Sequence, residues 1–376
     1  MIKLNVLIMG VLLLLSELAN AFPGMIRHGY VNCTSCHVQP TGGGVLKPYG
    51  REISQELLSS FSKENEGKLI YNAFGVADLL PTDSVQIGGD TRLIQTYRDS
   101  ARLKEERFFL MQSDLEVAAQ FGHWIFDVNG GYYDAEFKSL RHYILYQWDE
   151  EFSLRGGRFR PAYGMNTPEH TLVIKRKLGW DESTETYNLE AAWLKKGWNL
   201  FITGIFGKPE SVEELHQGLT LGQTGIAEKG FASRGSIFIH DNYELGLEYY
   251  YGTNSSHSRH VMGPFFILGV SPQFYLLSEL DFQIENKNSS SDSLKGFFNY
   301  EKFSYEPIQG FHLIATTEWS RSQFSNQNTF FQRYGAGIEF YPRPHFEVQA
   351  LWQKQKQPSD LGVFQDNAWL MMHFYL

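Results

Sequence analysis

The chain contains two cysteines, and both fall in the run Cys33-Thr34-Ser35-Cys36-His37. C-x-x-C-H is the spacing at which c-type haem is attached to a polypeptide. Two thiols three positions apart can add to the two vinyl groups of one porphyrin, and the adjacent His37 presents an imidazole to the iron as its proximal ligand. The thioethers also hold the group in a segment too small to enclose it by packing alone. Three other readings of the pair are weaker. A disulfide across four residues is strained and leaves His37 without a role, and a zinc site needs a second pair of ligands. A redox dithiol of the thioredoxin kind needs a βαβ setting that the flanking sequence lacks. The expected cofactor is one covalent haem c on Cys33 and Cys36.

The sixth iron ligand is less directly written. Between Val38 and Leu110 there is neither Met nor His, whereas small soluble cytochromes c place a distal Met downstream of the motif. His28 is taken as the distal ligand, with Met25 as the alternative. Met165 or His170 would serve if their loop folded inward, and an open or Lys-ligated position is the remaining option.

Downstream of the motif comes Gln39-Pro40-Thr41-Gly42-Gly43-Gly44, whose glycines would let backbone pass close to a flat macrocycle. Ile53, Leu57, Leu58 and Phe61 then recur at helical spacing, which predicts a short amphipathic helix within 52–61 covering one haem face. Ahead of the motif, Lys3, the apolar run Leu4–Leu15 and Ala19-Asn20-Ala21 have the layout of a secretory signal peptide cleaved after Ala21. Haem attachment after export agrees with such a leader. The expected organisation is a signal peptide over 1–21, a c-type haem-binding segment over 22–61, a linker over 62–84 and a barrel over 85–376.

That last expectation comes from patterning. The 376 residues include 29 Phe, 20 Tyr, 8 Trp and 35 Gly, a balance that favours strands and turns and excludes low-complexity disorder. Acidic residues outnumber basic ones, 42 to 33, which argues against a nucleic-acid partner. From Val85 onward, apolar and polar residues alternate with period 2. Phe311, Leu313, Ala315, Thr317 and Trp319, for example, alternate with His312, Thr316, Glu318 and Ser320. Sixteen such segments are read, among them 108–121, 139–149, 261–270 and 366–376. Connections after even-numbered segments are tight. Most of those after odd-numbered segments are long and polar, as at Asp99–Arg107 and Lys208–Glu228. A soluble sandwich has no reason to sort its connections by parity, but a membrane barrel does, having short turns on one rim and longer loops on the other. The fold expected is mainly β: a 16-stranded antiparallel transmembrane β-barrel preceded by a small, partly helical haem segment. Asp90, Arg92, Asp114, Glu116, Glu248, Glu318, Glu339 and Glu347 would face its lumen. Tyr243, Tyr249, Tyr251, Trp319, Tyr334 and Trp352 would sit in aromatic girdles. The tail Trp369–Leu376 reads as a closing strand. The loop Pro161–Thr184, carrying Tyr163, Met165, His170, Arg176 and Trp180, is read as a surface loop, with inward folding as the alternative.

A C-x-x-C-H segment ahead of a 16-strand pattern resembles the fused monohaem c-type cytochrome–porins of bacterial outer membranes. The resemblance is carried specifically by Cys33, Cys36 and His37 and covers the rest of the chain in layout. It implies electron transfer between an extracellular donor or acceptor, a metal ion among the options, and a periplasmic electron-transfer protein, through a haem in or at the mouth of the barrel. Outer-membrane lipid would surround the barrel, and the chain would be an electron carrier rather than a substrate-converting enzyme. The alternatives are a passive porin whose haem segment serves as anchor or redox sensor, and a haem reductase acting on a small molecule.

Overall fold

The computed structural model of this chain describes residues 23–64, 66–68, 84–100, 104–133, 136–169, 171–180, 184–208, 228–289, 293–356 and 363–376. The expected leader over 1–21, most of the linker and His170 lie outside the described residues. Sixteen antiparallel strands form one closed sheet. They are β1 (Val85–Asp99), β2 (Lys104–Phe121), β3 (Trp124–Tyr133), β4 (Glu136–Lys138 and His142–Gln147), β5 (Phe152–Phe159), β6 (Thr186–Lys195), β7 (Trp198–Gly207) and β8 (Lys229–Ile239). The second half comprises β9 (Tyr243–Thr253), β10 (His257–Ser271), β11 (Phe274–Lys287), β12 (Ser293–Ile308), β13 (Phe311–Arg321), β14 (Phe330–Arg343), β15 (Phe346–Lys356) and β16 (Gln365–Tyr375). Each strand pairs with the next in sequence, and β1 pairs with β16 from Asp90↔Tyr375 to Asp99↔Asp366, so the sheet has no free edge.

The period-2 pattern becomes two surfaces. Arg92, Glu116, Glu248, Glu318, Glu339 and Glu347 are buried inside, with Asp90 and Asp114 beside them in the same phase. Leu115, Val128, Ile202, Leu247 and Leu313 are exposed outside, Leu247 by 70%. Aromatic pairs ring the outer face near both rims: Phe346 with Phe374 at 4.5 Å and Trp124 with Tyr146 at 4.6 Å on the tight-turn side, Phe231 with Tyr249 at 5.4 Å on the other. Among the described residues no helix is long and apolar enough to cross a membrane; a barrel crosses with strands.

Three details of the barrel depart from the sequence reading. β2 begins at Lys104 and β10 at His257, several residues earlier than expected, because the ladders continue beyond the apolar band with polar pairs such as Asp99↔Lys104 and His257↔Lys287. The Asp99–Arg107 loop shrinks accordingly. β4 is interrupted at Ser139–Arg141: Leu140 is fully buried, and Asn129 Oδ1 accepts both the Leu140 and Arg141 backbone N–H groups.

The third departure concerns the loop after β5. It does not lie on the surface but folds into the lumen, where its short helix α2 (Val173–Arg176; the helix α1 precedes it at Pro48–Ile53) is pinned by wall residues. The Val173 N–H donates to Glu318 Oε2 at 2.7 Å, Arg333 to the Thr171 carbonyl at 2.7 Å and Arg259 to the Leu178 carbonyl at 2.6 Å. Leu172, Val173, Ile174, Leu178 and Trp180 are all buried. Water would be a poor solvent for that run, and the lumen lets its apolar surface be covered while its backbone groups find partners.

The N-terminal segment closes the tight-turn mouth. Arg27 is buried in an ion pair with Glu306 of β12 at 2.8 Å. α1 continues as a single wide turn, Ser54–Leu58. Ser54 Oγ lies 3.1 Å from the Tyr375 hydroxyl, and Gln309 donates to the Glu56 and Ser59 carbonyls at 2.7 and 3.0 Å. The Ser60 and Phe61 N–H groups donate to the Tyr341 and Pro342 carbonyls. Helix is present as expected, but it starts at Pro48 and stops at Leu58. Phe61 is 63% exposed and covers nothing.

Candidate functional site

Local chemistry shapes the C-x-x-C-H run. Asn32 caps a 3₁₀ turn over Cys33–Ser35, its Oδ1 accepting from Thr34 N at 3.0 Å. His37 N–H donates to the Cys33 carbonyl at 2.9 Å, and His37 then pairs with Leu46 across a small hairpin closed by Val38 N to Val45 O and Lys47 N to Cys36 O. The hairpin tip runs through Gly42, Gly43 and Gly44 at φ of +79°, +79° and +64°, where a side chain is strained. A Cβ on Gly42 would stand 3.2 Å from Cys33 Sγ, and one on Gly44 3.1 Å from the Glu116 carboxylate. Gly50 is tighter still, since its Cβ would meet the Cys36 carbonyl at 2.6 Å.

This run opens onto a cavity of about 290 Å³ inside the barrel, lined by Cys33, His37, Gly42–Gly44, Tyr163, Met165 and Arg234 among others. Neither cysteine is in a disulfide. Cys36 packs in an adjoining apolar cluster with Met25, Ile53 and Leu58 rather than on the cavity wall. The Cys33 thiol, the His37 imidazole and a glycine-built approach surface, all on one cavity wall, are groups a haem c would use. Joining both thiols to one porphyrin would need Cys36 to turn from its cluster toward the cavity.

Electrostatics suit ligation by His37. Burial pushes its pKa down to about 4, overriding the opposing pull of the Gly43 and Gly44 backbone and of Glu116, so the imidazole is neutral at physiological pH. Burial, with Arg27 adding to it, likewise lowers His28 to about 4. The Cys33 thiol is pushed up to about 12, chiefly by burial, with Arg234 opposing. A thiol held so firmly protonated is a poor nucleophile.

The structure separates the ligand candidates. Cys33, His37 and Met165 line one cavity. His28 does not; its Nε2 accepts from Arg27 Nε at 3.0 Å. Met25 is buried beside Cys36. Sequence reading did not single out Arg141, Arg234 and Lys175, which add positive charge to the cavity wall. Arg141 is held by both oxygens of Glu116, and Arg234 bonds Glu244 at 2.7 Å and the Gly164 carbonyl at 3.0 Å. The available signal was a basic residue in the inward phase of a strand, visible for Arg234 but not for Lys175 in a loop.

No protein-family model and no curated protein matches the chain. Solved structures do. A loop-deletion mutant of OmpT, an outer membrane protein of Vibrio cholerae, superposes with a TM-score of 0.62 at 7% identity, covering 78% of this chain and 99% of that one. OprB of Pseudomonas putida gives 0.60 at 10% identity over 80% and 96% of the two chains. An anion-selective porin from Comamonas acidovorans gives 0.60 at 11% identity over 78% and 99%. The likeness establishes a porin-like barrel fold.

Proposed function

We propose that this chain is an outer-membrane electron conduit, a porin-type barrel whose lumen holds a haem c joined to Cys33 and Cys36 and ligated by His37. The observation that carries the reading is the position of the C-x-x-C-H run, lodged inside the lumen with neither cysteine in a disulfide and with Cys33 and His37 lining one cavity. When bound, the haem would supply a one-electron iron couple, with ligation and burial setting its potential. The protein's part is to hold and orient it. The hairpin 37–46 sets His37, the glycines admit the ring edge, and Arg234 and Arg141 offer positive charge for propionates. The inward loop and the N-terminal segment exclude water and narrow the lumen, which suits electrons better than solutes.

The outward apolar face and its aromatic rims support placement in lipid, and the porin-like fold supports the outer membrane in particular. A periplasmic electron-transfer protein would dock at the tight-turn mouth, where the haem segment lies, and an extracellular donor or acceptor, such as a metal ion, at the opposite rim. A passive porin is the second reading, favoured by the likeness to channel proteins such as the anion-selective porin. The test is direct. Purified full-length protein, expressed with a cytochrome c maturation system, should show a Soret band that survives acid–acetone extraction, and reconstituted vesicles should exclude small sugars. Free sugar flux with no covalent haem would favour the porin.

A further inference from the structure

We propose that Met165, on the loop folded into the barrel, is the distal ligand of the haem; the inference rests on the reading above and extends it. Three side chains of the ligating type, histidine or methionine, line the cavity among the described residues: His37, His373 and Met165. His37 belongs to the attachment motif. His373 is committed elsewhere, with Nδ1 2.8 Å from Glu347 and Nε2 3.0 Å from Asp90, so ligation through either nitrogen would give up one of these contacts. Met165 has no such engagement. The residue is 2% exposed and packs in an apolar cluster with Ile26, Leu172 and Trp180, and its polar contacts are made by the backbone.

Its backbone is held as a ligand's would need to be. Met165 N–H donates to Glu279 Oε2 at 2.6 Å, and Tyr163 two residues earlier donates to Asp281 at 2.5 Å. Asn166 reaches across to the haem segment, its Nδ2 donating to the Thr41 and Gly42 carbonyls at 2.7 and 2.9 Å. The residue next to Met165 is therefore bonded to the glycine turn that packs on Cys33 Sγ. Between them, Gly164 has φ of +63°, and a Cβ there would stand 2.6 Å from the Glu279 carboxylate, so the backbone path that presents Met165 depends on glycine. A thioether ligand opposite histidine favours the reduced iron and raises the potential.

The experiment uses the matured full chain in detergent, with covalent haem counted first by pyridine haemochrome. The oxidised wild type should be low-spin and show the weak long-wavelength sulfur-to-iron charge-transfer band, and its ferrous form should bind carbon monoxide poorly. Met165→Ala should lose the band and bind carbon monoxide readily with haem content unchanged. Met165→His should restore the low-spin state without the band and at a lower potential. His28→Ala should leave the wild-type spectrum as it is. A band that persists in Met165→Ala, or is absent from the wild type, overturns the assignment while leaving the conduit reading intact. Absence of covalent haem from the wild type overturns both.

Discussion

Iron takes histidine only as the neutral imidazole, and at His37 burial supplies that form well below neutral pH. The same burial has a consequence for the haem-free chain. His28 and His37 titrate near 6.5 when unfolded and near 4 when folded, so the unfolded chain takes up more protons between those values. Their contribution to holding the N-terminal segment in place is complete above about pH 6.5 and is lost progressively as pH falls toward 4. Limited proteolysis of haem-free protein in detergent should therefore cut within residues 23–64 increasingly as pH drops across that window, while the barrel stays intact. A flat profile would contradict the burial argument. The motif itself was fully legible, because C-x-x-C-H is a local spacing. The proposed distal ligand, Met165, could be named only as one candidate among several, because its loop's path into the lumen is not a local feature. His28 is close in sequence, but Arg27 is drawn to Glu306 on β12 and takes His28 with it, a pairing no local pattern announces.

At the scale of elements, alternation was sufficient to find every strand, since one face meets an interior of carboxylates and arginines and the other an apolar exterior. Polar pairs beyond the apolar band hid the true starts of β2 and β10, and Leu140 hid the break in β4 because it fits the alternation it interrupts. The inward loop was misread despite a usable sign: Leu172, Val173, Ile174, Leu178 and Trp180 form too apolar a run for a solvent-exposed loop. Leu247 tests what the outer face meets. It lies mid-strand in β9 between Gly235 and Pro264 of the neighbouring strands. Leu247→Arg should destabilise the barrel in lipid by about 2–4 kcal/mol, measured by reversible unfolding in bilayers. A substitution that costs nothing would indicate water at that face.

For the molecule as a whole, a porin-like wall fixes the dimensions, and the contents of its lumen decide the function. Helix α1 and the run ahead of it seal the tight-turn mouth through contacts with β12, the β14–β15 turn and β16. The loop after β5 occupies the interior above them, leaving the cavity shared by Cys33, His37 and Met165. Placing a single redox centre there would shorten the insulating gap between the two sides of the membrane while keeping the solute path narrow. The most direct measurement encloses an electron acceptor in liposomes, reconstitutes the matured protein in the membrane and supplies a membrane-impermeant donor outside. The account predicts rapid reduction of the enclosed acceptor with wild-type protein and loss of that rate with Cys36→Ala at equal protein incorporation. Equal rates for the two proteins would contradict it.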